Sequence, residues 1–340
     1  GASMALTALV IVGSRNLEHF DSALFGYLIA SIVAFGAIFF RYALWLQRPA
    51  TRAYFSRGLK LFFQRKKFAR NTLDATKTVG INMLAQKFIF KRAKSRWLMH
   101  FLIMWGCVLS AAITFPLVWG WIHFKLESET GYKAYVFGFP MQSMDVHSVM
   151  AFFTFKALNF TALMVLAGCA IAIHRRLKDR GAIAVQQFLL DFVPHLLLIA
   201  ICVSGLMLTA SSTYFGGYMY SFIALTHQAI VIMTLFFLPF GKLFHIVQRP
   251  ASIGVELYQQ RAKEMEQAKC RRCGVEFASV MWLGDLKSVV EKVGFDYTME
   301  NGETLQDYCP RCKRVMRGLA YSVLMDRPDK VFHGTRADDE

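Results

Sequence analysis

Four cysteines fall in two pairs, Cys270-Arg-Arg-Cys273-Gly and Cys309-Pro-Arg-Cys312, separated by a 35-residue insert. Two C-x-x-C knuckles at that separation suit four thiolates around one metal ion, and they are the most specific local signal in the chain. The second chemical feature is a set of nine histidines, of which only His19 and His333 fall well outside strongly apolar sequence. Imidazoles in hydrocarbon are costly and mark function, as metal ligands or as proton-handling groups. Two of them, His227 and His245, lie eighteen residues apart in LTHQAIVIMTLFFLPFGKLFH. On one continuous helix that interval makes five whole turns, so both rings share a face and sit about 27 Å apart along the axis.

The elements that must position these groups are membrane helices. With 55% hydrophobic residues, 31 phenylalanines in 340 positions and a positive mean hydropathy, the composition is not that of a soluble domain. Five apolar spans are long enough to cross a bilayer: Leu24–Leu46, Trp97–Ile122, Val146–Ile173, Phe188–Ala210 and Tyr218–Ile246. No secretory signal is expected before the first, where the only apolar run is Ala5–Val12. Basic residues resist translocation, and they crowd the segment after the first span, which holds Arg65, Lys66, Lys67, Lys91, Arg92, Lys94 and Arg96 against the single acid Asp74. The HRRLKDR run at His174–Arg180 and everything after His245 are also basic, whereas His123–Asp145 carries two lysines and three acids. The pattern predicts an outside N-terminus, a cytoplasmic C-terminus and residence in a bacterial-type inner (plasma) membrane. The formal charge of +16 is accounted for by these loops and by anionic lipid headgroups, so no nucleic-acid partner is expected. Within the long internal segment, RAYFSRGLKLFFQRKKFAR reads as an interfacial helix on the lipid surface.

Topology turns the two motifs into chemistry. A cytoplasmic C-terminus is a reducing setting, so Cys270, Cys273, Cys309 and Cys312 read as metal thiolates rather than disulfides. Zinc is expected, with a single iron or an iron–sulfur cluster as alternatives, because ligand identity alone does not distinguish them. Arg271, Arg272, Arg311, Lys313 and Arg314 flank the knuckles and suit an acidic partner surface or a solvated basic face. Cys107, Cys169 and Cys202 read as isolated core residues. For the histidines, a shared face with a ligand at each depth is what two stacked b-type haems require, and the lack of a C-x-x-C-H motif gives no support to covalent attachment. Depth pairs His245 with His100 near the inner side and His227 with His147 near the outer side. His123 is a weaker outer candidate, and His195 is an alternative inner ligand or a propionate contact. His174, beside Arg175 and Arg176, reads as interfacial. Lys156, near the middle of the third span, and Asp145, with Gln142, are candidates for contact with a quinone or propionate.

The segments RWLMHFLIMWGCVLSAAIT (Arg96–Thr114) and FLPFGKLFHI (Phe237–Ile246) resemble the second and fifth helices of the cytochrome b, or gamma, subunit of respiratory nitrate reductase. Haem b membrane subunits of sulfite-reductase-associated and heterodisulfide-reductase-like complexes look similar. The resemblance spans about Leu24–Ile246 and implies ligands at His100, His227 and His245. It places the fourth family ligand ten residues beyond His100, where this chain has Ser110, so the outer haem is expected only if His147 replaces it.

The expected architecture is therefore an all-α membrane protein. Residues 1–246 would form a five-transmembrane-helix cytochrome b domain with a basic cytoplasmic loop at 47–96. An amphipathic linker helix at 247–269 and a zinc-ribbon-like or rubredoxin-like module at 270–317 would follow, then a tail at 318–340. The expected function is that of a dihaem b-type cytochrome passing electrons between the quinone pool and a cytoplasmic iron–sulfur or molybdenum oxidoreductase. It would be the quinone-reactive subunit of a multi-subunit enzyme, since the sequence carries no nucleotide-binding glycine motif or nucleophile constellation. Alternatives are a membrane transporter with a histidine and lysine proton or substrate pathway, and a membrane anchor for a zinc module.

Overall fold

The computed structural model describes residues 1–128, 130–299 and 301–325. His333 and the acidic end Asp338-Asp339-Glu340 lie outside the described residues. The chain begins with helices α1 (Ala2–Gly13), α2 (Phe25–Gln47), α3 (Pro49–Phe62), α4 (Phe68–Thr78), α5 (Lys87–Phe90) and α6 (Lys94–Val118). Strands β1 (Ile122–Ser128), β2 (Gly131–Val136) and β3 (Phe139–Asp145) follow, then α7 (Val149–Lys178), α8 (Arg180–Val185), α9 (Val193–Tyr214), α10 (Tyr220–Phe240) and α11 (His245–Gln248). The last stretch contains α12 (Ser252–Ala262), β4 (Gln267–Lys269), β5 (Glu276–Ser279), α13 (Val280–Lys292) and α14 (Pro310–Leu324).

Among the described residues five helical segments are long and apolar enough to cross a membrane: Ser22–Gln47, Lys94–Val118, Val149–Lys178, Phe188–Tyr214 and Tyr220–Phe240. They follow the five expected spans closely, except that the fifth stops short of His245. Tertiary contacts divide the chain into two compact units, Gly1–Ala43 with Gly80–Arg249, and Leu44–Val79 with Pro250–Glu340.

The first unit is a helical bundle in which α6 packs on α7, α7 on α9 and α9 on α10. The α6–α7 crossing is close because Gly106 and Gly168 face the partner helix. A Cβ at Gly106 would lie 2.6 Å from Val165 and 3.0 Å from the Thr161 carbonyl, and one at Gly168 would lie 2.6 Å from Ile103, so neither position has room for a side chain without a shift. Hydroxyls add interhelical bonds, Ser110 donating to Thr161 at 2.7 Å and Thr209 donating to Asn159 at 3.0 Å. Cys107, Cys169 and Cys202, which look isolated in the sequence, pack in one interior cluster with Val165, contributed by α6, α7 and α9. Helix α1, twelve residues and too short to span, buries Leu6 and Val10 against Leu28 of α2 and Val118 of α6. The loop expected at His123–Asp145 is an antiparallel three-stranded sheet in the order β1-β2-β3. Alternating residues such as Phe124 and Leu126, with a turn at Phe137-Gly138, explain why it is not irregular.

The second unit joins the basic segment after α2 to the stretch that carries α12, α13 and α14. Gly58 of α3 approaches Gly254 of α12 closely enough that a Cβ on Gly58 would meet the Gly254 carbonyl at 3.1 Å. Arg261 of α12 is buried against α4, where Asn71 accepts from it at 2.8 and 3.0 Å and Asp74 at 2.5 Å. Asn71 in turn donates to the last carbonyls of α3, Leu61 at 2.7 Å and Phe62 at 3.3 Å, closing the α3–α4 corner. RAYFSRGLKLFFQRKKFAR is thus two helices with a 3-10 turn at Arg65–Lys67 between them. Helix α13 docks on α3 through Arg57, which donates to both oxygens of Asp285 at 2.6 and 3.1 Å, and Tyr258 donates to the same carboxylate at 2.9 Å. Burial, and then the hydrogen bond and charge of Asp285, push the Tyr258 hydroxyl pKa above its ordinary value.

Candidate functional site

Two groups of chemically competent side chains are assembled, one in each unit. In the second unit the four sulfurs of Cys270, Cys273, Cys309 and Cys312 lie within 4.8 Å of one another, with Cys273 exposed and the other three buried. The first knuckle turns at Gly274, whose φ of +72° is the left-handed conformation glycine supplies, and the Gly274 amide closes the turn on the Cys270 carbonyl at 2.9 Å. The second knuckle opens α14: Cys309 caps the helix and accepts from the Cys312 amide at 3.4 Å, while the Cys309 amide donates to the Cys270 sulfur at 3.2 Å. Amides aimed at sulfur favour thiolate, which is the ligand form. Around a tetrahedral ion with metal–sulfur bonds of about 2.3 Å, sulfurs stand roughly 3.8 Å apart. The Cys273–Cys309 separation of 3.7 Å matches that spacing, so the donor set fits a tetrahedral cation. Tyr308, Phe277, Met299 and Met316 pack around the sulfurs.

Burial raises the Cys270 thiol pKa, yet the amides of Cys309, Cys273 and Arg272 outweigh burial and bring it down to about 6. Burial and the neighbouring thiols push Cys312 up to about 12. A metal ion binding here must therefore displace at least the Cys312 proton.

In the first unit the rings of His100 and His245 lie side by side, with centroids 6.3 Å apart and planes at 58°. His100 lies in the second turn of α6. His245 does not continue α10, contrary to the single stripe expected with His227. Pro239 and Gly241 end α10, and Gly241 is extended at φ −89° and ψ −171° before a 3-10 turn at Lys242–Phe244 leads into α11. A Cβ on Gly241 would fall 2.4 Å from the Phe237 ring, so a larger residue here would have to displace that ring. The five-turn arithmetic therefore does not apply across this junction.

Each of these imidazoles is oriented through Nδ1. His100 Nδ1–H donates to the Gln86 side-chain oxygen at 2.8 Å, and His245 Nδ1–H donates to the Lys242 carbonyl at 2.6 Å. His195 Nδ1–H donates to the Asp191 carbonyl at 2.7 Å. His227 Nδ1 lies 2.8 Å from the Ser204 hydroxyl, which is also 2.6 Å from the Ala200 carbonyl. The hydrogen bonds of the His100, His195 and His245 rings run through Nδ1 to oxygens that can only accept, which leaves each of these Nε2 lone pairs for a ligand. An ion with bonds of about 2 Å to two imidazole nitrogens separates the ring centroids by roughly 6 Å. The His100–His245 centroid spacing of 6.3 Å is of that size.

Asp191 braces the same end of the bundle. Its carboxylate, 7% exposed, accepts from Lys242 at 2.7 Å and pairs with Arg176 at 3.2 Å, tying the turn that presents His245 to α7 and α9. The π-helical turn Phe188–Phe192 leading into α9 carries this residue.

The remaining candidates are distributed. His147 is exposed ahead of α7, in a turn built by Asp145, which accepts from the His147 amide at 2.7 Å and from the Ser148 hydroxyl at 2.6 Å. The structure does not bring His147 into ring contact with His227, and His227 packs instead against Gly205 and Ser204 of α9. Ser110 faces Thr161 of α7, to which it donates at 2.7 Å. Lys156 is the eighth residue of α7, nearer one end than the middle, and donates to Thr213 at 3.4 Å. His174 is exposed in the basic last turns of α7.

Sequence alone does not reveal the partners Gln86, Lys242, Asp191 and Ser204. Nor does it reveal a ring stack at the sheet, where His19 lies 4.2 Å from His123 and His123 lies 4.9 Å from Tyr135. Neither His123 ring nitrogen has a partner among the described residues. Burial, and then His19, Lys125 and Arg15, lower the His123 pKa. No family model, curated protein or solved structure matches the chain.

Proposed function

We propose that the chain is a membrane electron-transfer subunit of the b-type cytochrome class, holding haem between His100 and His245. The observation that carries this reading is the pair itself: two imidazoles from separate elements, 6.3 Å apart, each with Nδ1 committed to a carbonyl oxygen and Nε2 left over. Bound there, haem b supplies reversible one-electron chemistry at its iron. Gln86 and the Lys242 carbonyl hold the two rings in the tautomer that keeps Nε2 unprotonated. Asp191 fixes the turn bearing Lys242, and the helix break at Gly241 lets His245 leave the line of α10. His227 has no second imidazole at ring-contact distance among the described residues, so the proposal is confined to one haem.

Quinone as the membrane substrate, and a cytoplasmic iron–sulfur or molybdenum oxidoreductase as the partner, follow from the resemblance to nitrate reductase gamma subunits. In the second unit we assign the four cysteines a structural zinc ion, which pins a small module with few buried apolar residues of its own. The test is a reduced-minus-oxidised spectrum of the purified membrane protein and of H100A and H245A. The parent is expected to show a Soret shift and an α band that both variants lose. Retention of the bands in both variants would contradict the ligand assignment.

A further inference from the structure

The most constrained side chain near the His100–His245 pair is one with no evident sequence signal. Gln86 sits at the corner before α5 and is 1% exposed, although glutamine is ordinarily a surface residue. Its backbone is left-handed, φ 52° and ψ 40°, a conformation strained for a residue with a side chain. Strain of this kind persists where the surroundings over-determine it. Here two tryptophans of α6 pin the corner, Trp97 donating to the Ala85 carbonyl at 2.9 Å and Trp105 to the Leu84 carbonyl at 3.3 Å.

The pinned corner aims the Gln86 amide at two residues one turn apart on α6. Its nitrogen donates to the Met104 sulfur at 2.7 Å, and its oxygen accepts from His100 Nδ1 at 2.8 Å. A thioether only accepts, so the amide nitrogen must face Met104 and the oxygen must face His100. An amide oxygen cannot donate, so His100 carries its proton on Nδ1 and keeps its lone pair on Nε2. Met104 thus sets the amide, the amide sets the tautomer, and the tautomer sets the ligand atom.

We infer that Gln86 is a positioning residue that fixes the ring orientation and basicity of His100 and thereby sets the reduction potential of the group His100 binds. This rests on the cytochrome reading. A hydrogen bond from Nδ1–H to oxygen makes Nε2 the stronger donor and favours the oxidised iron. Weakening that bond raises the midpoint potential, and strengthening it lowers the potential.

Three variants test the assignment by potentiometric titration, with haem content measured alongside. Q86N keeps a residue that tolerates the left-handed backbone but is one methylene too short to reach His100, and it is expected to raise the midpoint potential. Q86E keeps the reach and offers the imidazole a carboxylate in place of an amide, and it is expected to lower the potential. M104L leaves Gln86 in place but frees its amide, and a smaller rise than in Q86N is expected. If Q86N fails to accumulate, Q86E and M104L carry the comparison. Unchanged potentials at full haem content in the variants obtained would overturn the role of Gln86. A parent protein without haem would instead overturn the cytochrome reading, leaving Gln86 as a purely structural contact.

Discussion

Arg261 reaches Asn71 with two nitrogens, at 2.8 and 3.0 Å, from a position only 2% exposed. This contact joins segments that stand far apart in the sequence, on either side of four of the apolar spans, and it makes the basic segment after α2 part of the same unit as the C-terminal stretch. Asn71 is doubly committed, since it also closes the α3–α4 corner. Replacing it by leucine takes an acceptor from a buried guanidinium, so N71L is expected to destabilise the second unit by about 3 kcal/mol. Equilibrium unfolding in detergent, followed by fluorescence, checks the figure; a change within experimental error would mean that Arg261 finds other partners.

Glu264 gathers Arg261 at 3.0 Å, Arg70 at 2.6 Å and Lys67 at 3.7 Å. Desolvation alone would raise its pKa, but the three cations outweigh it and hold the group below the ordinary glutamate range. A depressed carboxylate contributes stability above its unfolded pKa and loses it as pH falls through the folded value. Unfolding profiles from neutral pH into the acid range are therefore expected to fall less steeply for E264Q than for the parent. Parallel profiles would show that the cations do not act through this carboxylate.

His147 lies exposed in the turn before α7. Haem content and absorption spectrum are expected to be the same in H147A as in the parent. A loss of half the haem on this substitution would restore a second pair with His227.

The four sulfurs differ in surroundings, and metal loss should follow them. Cys309 is buried and caps α14, whereas Cys273 is exposed where water can replace a ligand. Elemental analysis of purified variants should find less zinc in C309S than in C273S, and a strong chelator should make the 270–317 segment more sensitive to protease than the bundle. Zinc retained at the parent level in both variants would place the ion elsewhere.

How legible each feature is depends on the range of the interaction behind it. The cysteine knuckles are local, since spacing alone brings each pair together, and the distance between pairs matters little once one ion is shared. The five spans follow from hydropathy summed over about 20 residues, a signal robust to small errors. The break before His245 is masked by apolar residues that continue through LFHI, although two breakers, Pro239 and Gly241, stand just ahead of it. The sheet is hidden by short strands, with Phe137-Gly138 its clearest turn signal. Gln86, Ser204 and the Lys242–Asp191 pair cannot be read from sequence, because these partners are set by how helices dock and not by sequence distance.

The most direct test of haem ligation by His100 and His245 is the haem content per chain of the purified parent protein, measured by pyridine haemochrome. One haem b per chain, lost in H100A and in H245A, is the predicted result. A parent protein that is colourless in both redox states would contradict it.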